Sequence, residues 1–70
     1  MERQPVVSSN LVSVGYDEDG STLEVEFKSG AVYRYLNVPL FEYERLMAAV
    51  DSHGAYFNAN IKDTYSYERA

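Results

Sequence analysis

No cysteine occurs among the 70 residues, so neither disulfides nor thiolate zinc ligation can supplement the core. The same absence fits a reducing, cytoplasmic setting. A single histidine, His53, leaves a transition-metal site without a ligand set. The four glycines are scattered one by one at turns, so no glycine-rich loop is present to cradle a phosphate. No apolar run approaches the roughly 20 residues of a membrane span, and the start "MERQPVVSSN" lacks the apolar stretch of a signal peptide. No membrane association, cofactor or metal is therefore expected.

Excess positive charge is also missing. The formal net charge is −5 and evenly spread: residues 1–35 hold three basic and six acidic side chains, residues 36–70 three and five. Neither half is a basic arm of the kind that phosphate backbones attract. A chain this short buries only about 60 % of its unfolded surface, so its core is thin. Aromatics fill that gap: seven tyrosines and three phenylalanines bury much area per residue.

Residues 1–7 read as a loose leader and 8–70 as one domain. "LVSVGY" puts Val12, Val14 and Tyr16 on one strand face, with Ser13 and Gly15 opposite. "DEDGS" is turn chemistry, with Gly20 the residue suited to a left-handed conformation. "TLEVEFK" alternates Leu23, Val25 and Phe27 inward against Glu24, Glu26 and Lys28 outward, and "AVYRYLNV" is the third strand. Pro39 stops the ladder and suits a helix start. Tyr43, Leu46, Met47 and Val50 then form one apolar stripe. Asp51, Ser52 and Gly54 break that helix, and Ser52 can cap a second through "HGAYFNANIK", with Phe57 and Ile61 four apart. The tail "DTYSYERA" alternates Tyr65 and Tyr67 and is expected to dock in extended form. The fold class is α+β: a three-stranded antiparallel meander followed by two short helices packed on one face of the sheet.

The turn "KSGA" sets the register. A two-residue Ser29-Gly30 loop suits neither type I′ nor type II′. A three-residue loop, Lys28-Ser29-Gly30, places glycine at the left-handed bulge position. Val25 then faces Tyr33, Leu23 faces Tyr35, and Glu24 lies opposite Arg34, all favourable pairs. Tyr33 and Tyr35 thus point to the core and Arg34 away from it.

Catalytic groupings are not evident. Gly15, Asp17, Asp19, Gly20 and Glu26 mimic part of a calcium loop, but its first position is no ligand and strands flank it. His53 reads as a loop histidine without a catalytic role. Ser8, Ser9 and Ser52 sit in no nucleophile-elbow context. Glu24 and Glu26 read as an outward strand face, not as an acid–base dyad. No enzyme activity is expected.

What remains is aromatic and amide chemistry, and the candidate binding rim is Tyr33, Arg34, Tyr35, Tyr56, Asn58, Asn60, Tyr65 and Tyr67. Such groups can also be core and helix-end satisfaction.

The ordered series "SSNLVSVGYD", "TLEVEFKSGAVYRYLNVP", "Y-E-x-L-M-A-A" and "GAYFNANIKDTYSYE" resembles the KTSC domain family from Ser8 to Glu68. Tyr33-Arg34-Tyr35 meets its Y-x-Y motif and Tyr56-Phe57-Asn58 its "YFN" block. The family is found at the C-terminus of some lysyl-tRNA synthetases and as small stand-alone bacterial proteins. The resemblance implies no defined activity, and the synthetase association points to RNA as one ligand. Net acidity argues against RNA, so a protein partner is the leading expectation and RNA the alternative. Arg34, Arg45, Lys62 and Arg69 are the cations whose clustering would favour RNA.

Overall fold

The computed structural model describes residues 2–70. The elements run β1 (Arg3–Pro5), β2 (Leu11–Asp17), β3 (Thr22–Phe27), β4 (Val32–Tyr35), α1 (Leu40–Ala48), α2 (His53–Asn60) and β5 (Tyr67–Arg69). The strands form one antiparallel sheet in the order β1-β2-β3-β4-β5. The α+β class and both helices agree with the expectation. The sheet does not: it has five strands, with the expected meander at its centre and one further strand on each edge.

Both additions are three-residue segments with little burial, the second lying in the tail that was expected to dock in extended form. Their strand state comes from backbone N–H and C=O groups pairing with an edge that the meander leaves open. Arg3, Gln4 and Pro5, inside the stretch expected to be a leader, pair with Gly15, Val14 and Ser13. Tyr67, Glu68 and Arg69 pair with Tyr35, Arg34 and Tyr33.

The β3–β4 hairpin has the register expected of the bulged turn: Leu23↔Tyr35, Glu24↔Arg34 and Val25↔Tyr33. Phe27 and Ala31 close the loop at 2.9 Å, and Gly30 takes φ +96°, a conformation that glycine adopts without a Cβ penalty. The β2–β3 pair corrects one face. A bulge between Leu11 and Ser13 leaves Val12 unpaired, so Leu11 enters the core and Val12 turns out to solvent. In the Asp17–Ser21 turn the left-handed residue is Ser21, at φ +51°, and not Gly20. Asp17 Oδ1 accepts the Asp19 N–H there at 3.2 Å.

The sheet contributes Leu11, Val14, Leu23, Val25 and Tyr35 to the core, the helices Leu46 and Phe57, and the connections Val38 and Ile61. Tyr43 and Met47 pack against this cluster, but Val50 does not. The helix ends at Ala48, where the Ala49 N–H turns back to the Arg45 and Leu46 carbonyls, and Val50 is left 64 % exposed. Ser52 stands at the N-cap of α2 without a side-chain cap bond; only its carbonyl serves, accepting the Tyr56 N–H at 2.9 Å. Gly54 lies inside α2, beyond the end of α1. A Cβ there would fall 2.6 Å from Ser8 Oγ, so glycine permits the close approach of α2 to the β1–β2 connection.

The other sheet face carries charge. Arg3 reaches Glu24 at 3.6 Å and Glu26 at 3.9 Å, and Arg34 Nε lies 3.4 Å from Glu24. The Ser13 hydroxyl donates to Glu26 at 2.9 Å. Among the described residues no helix is long and apolar enough to cross a membrane.

Candidate binding groove

The hairpin register puts Tyr33 and Tyr35 on the inner sheet face, and the antiparallel pairing of β5 places Tyr67 directly opposite Tyr35. Phe27 ends β3 on the same face, and Phe57 comes down from α2. These five rings form a closed circuit. Phe27 meets Tyr33 at 5.7 Å, Tyr33 meets Tyr67 at 5.4 Å, and Tyr67 meets Tyr35 at 5.3 Å. Tyr35 meets Phe57 at 5.3 Å, and Phe57 returns to Phe27 at 5.6 Å. Four of the contacts are edge-to-face and the fifth is tilted at 37°. Edge-to-face contacts match a positive ring edge to a negative face, worth about 0.5–1.5 kcal/mol each beyond area burial.

The circuit is buried on one side and open on the other. Phe57 and Tyr35 form the floor, at 1 % and 3 % exposure, whereas Tyr67 is 58 % exposed. Above them is a groove of about 510 Å³. Its rim carries Ser9 and Asn10 before β2, Lys28 and Ser29 in the hairpin turn, and Asn58, Lys62 and Asp63 at the end of α2. Burial, then the neighbouring Tyr67, Tyr33 and Asp63, pushes the Tyr35 hydroxyl up to about 12. It is therefore a neutral phenol, able to hydrogen-bond and unsuited to act as an anion.

The eight rim residues named from sequence divide four ways. Tyr33, Tyr35, Asn58 and Tyr67 line the groove. Arg34 points to the opposite sheet face, paired with Glu24. Asn60 is exposed at the end of α2, its Nδ2 donating to the Tyr56 carbonyl at 3.2 Å. Tyr56 and Tyr65 are engaged elsewhere: both hydroxyls donate to Glu42, Tyr56 to Oε1 and Tyr65 to Oε2, the latter at 2.8 Å.

Sequence reasoning missed Glu42 as a buried residue, yet a signal was there. It lies four positions before Leu46 and so on the inward stripe of α1. Phe27, Lys28, Lys62 and Asp63 were also absent from the expected rim. The four cations named for RNA do not all share a surface: Arg34 is on the outer sheet face, Arg45 sits on α1 with its guanidinium 5.0 Å from the Phe41 ring, Lys62 is at the groove, and Arg69 ends β5 opposite Tyr33. His53 is not in a loop. It is the first residue of α2, buried, with Nδ1 3.5 Å from the Val7 carbonyl oxygen. Among the described residues, no three His, Cys, Asp or Glu side chains cluster as metal ligands.

The Glu42 cluster carries a pH prediction. Burial, then the hydrogen bond to Glu42 and its charge, raises the Tyr65 hydroxyl from 10.0 to about 12. Tyr56 is raised for the same reasons, partly offset by Arg45. A raised folded-state value means that the native chain holds protons which the unfolded chain has released. This stability is complete below pH 10.0 and disappears as pH rises towards about 12. The urea midpoint should fall over that window, and Tyr65→Phe should flatten part of the fall, Tyr35 accounting for more of it. A midpoint that falls equally steeply in Tyr65→Phe would contradict this assignment.

The KTSC domain model matches residues 7–65. The chain is 47% identical over 70 residues to an uncharacterized protein of Stutzerimonas stutzeri, covering 99% of this chain and 97% of that one. A lysine–tRNA ligase of Trichormus variabilis is 44% identical over 54 residues, which are 77% of this chain but 9% of the ligase. The crystal structure of a KTSC domain protein from Yersinia pestis matches with a TM-score of 0.93 at 39% identity, covering 99% of this chain and 96% of that one.

Proposed function

The chain belongs to the KTSC domain family, and on that premise we propose that it is a small non-catalytic binding module whose aromatic groove takes a segment of a protein partner. One observation carries this reading: the ring circuit opens to solvent through Tyr67 and Tyr33 and is not closed over by any of the described residues. Exposed tyrosines on a rigid base are the typical energetic centres of protein interfaces. The groove's size also falls within the roughly 300–1,000 Å³ of specific ligand sites.

The groove's chemistry supports binding over catalysis. Its serines, Ser9 and Ser29, have no histidine beside them in the lining, and His53 is buried against the Val7 carbonyl. RNA is the alternative, favoured by the partial match to lysine–tRNA ligases. Against it stand the −5 net charge and the separation of Arg34 and Arg45 from the groove.

Titrating isotope-labelled protein at low salt with a random peptide mixture, and separately with mixed oligoribonucleotides, tests the reading. Peptides should move the amide resonances of Tyr33, Tyr35, Asn58 and Tyr67, and RNA should leave them in place. Movement with RNA alone would support the alternative. Stationary groove resonances with both would reject the groove as a binding site.

A further inference from the structure

The chain's cations are unevenly employed. Among the described residues the ion pairs are Arg3–Glu24, Arg3–Glu26 and Arg34–Glu24, all on the outer sheet face. Arg45 stacks on Phe41. The chain's two lysines, Lys28 and Lys62, both line the groove, from segments far apart in sequence, and neither is in an ion pair. The hairpin turn brings one to the rim and the end of α2 brings the other. Against them the lining holds a single acid, Asp63. A chain of net charge −5 therefore presents, around its aromatic groove, a local excess of positive charge.

Resting on the binding reading above, we infer that the groove's partner is an acidic peptide segment with one aromatic or large aliphatic anchor. The anchor packs on the open side of the ring circuit at Tyr33 and Tyr67. Carboxylates flanking it meet Lys28 and Lys62, and the Asn10 and Asn58 side chains are at hand for its backbone. The global and local charges make opposite forecasts here. Long-range steering by the whole chain favours a basic partner, whereas contacts at the rim favour an acidic one, and contact distance outweighs a field screened beyond about 8–10 Å at physiological salt.

The deciding experiment uses three capped peptides of equal length, each with one central phenylalanine flanked by glutamates, serines or lysines, and an oligouridylate as a fourth probe. Affinities are read from amide shifts of the full chain at physiological salt, for the wild type and a Lys28→Gln, Lys62→Gln double variant. Both substitutions are at exposed positions outside the strands and helices, and the Lys28 N–H bond to the Asn10 carbonyl involves only backbone. The glutamate peptide should bind about fivefold to tenfold more tightly than the serine peptide, as expected for two exposed ion pairs. The double variant should erase that preference, bringing the glutamate peptide to the affinity of the serine peptide. Equal affinities, or a preference for the lysine peptide, would overturn the inference while leaving a peptide-binding groove. Tighter binding by the oligouridylate would overturn it in favour of phosphate. Groove resonances that no probe moves would remove both the inference and the reading beneath it.

Discussion

Replacing Phe57 by alanine should lower the free energy of unfolding by about 3–5 kcal/mol, the usual cost of emptying a buried phenylalanine site. Phe57 is 1 % exposed, and its ring edges against both Phe27 and Tyr35. Neither neighbour can follow the lost ring inward, because each is held by its own strand register. A chain of this length has about 4–10 kcal/mol of stability in total, so the loss takes a large share of it. Urea denaturation followed by far-ultraviolet circular dichroism reads this directly. Phe57→Leu keeps most of the volume and should cost far less, which separates lost packing from lost aromaticity. A midpoint for Phe57→Ala within experimental error of the wild type would show that Phe57 is not the floor of the core.

The second large effect is expected at Glu42. The residue is 8 % exposed, and its carboxylate takes hydrogen bonds from Tyr56 in α2 and Tyr65 in the tail, so it ties α1 to both. Hydrogen bonds to a charged group contribute about 1.5–3 kcal/mol each. Glu42→Ala should therefore cost about 3 kcal/mol or more, since it also strands two half-buried hydroxyls. Glu42→Gln keeps one carbonyl acceptor and offers an amide donor that a phenol oxygen can accept, and should cost about 1 kcal/mol. Amide hydrogen exchange adds a local reading. The loss of Tyr65's anchor should speed exchange in β5, which directly follows it, more than in β3. Equal stability of Glu42→Ala and wild type would show the cluster to be energetically idle.

These two residues mark different degrees of legibility. Phe57 and Ile61 could be assigned to the core because they stand four apart on a short helix. The ring circuit could not be anticipated, since its members come from β3, β4, α2 and β5. Tyr33 and Tyr35 were placed on the inner face by a turn argument, Ser-Gly order selecting the bulged loop, and the hairpin follows it. Tyr56 and Tyr65 belong to the same composition of tyrosines, yet they serve a buried carboxylate and not the groove.

The sequence by itself determined the central meander, the register of its β3–β4 hairpin, both helices and the family, because alternation, turn type and helical spacing act over a few residues. Only the tertiary structure decided the edge strands, the outward turn of Val12, the burial of Glu42 and the gathering of both lysines at one groove. Each of those depends on backbone pairing or side-chain contact between segments distant in sequence. Such contacts have no local period to read, and they exist only once the meander has provided an edge and a face to receive them.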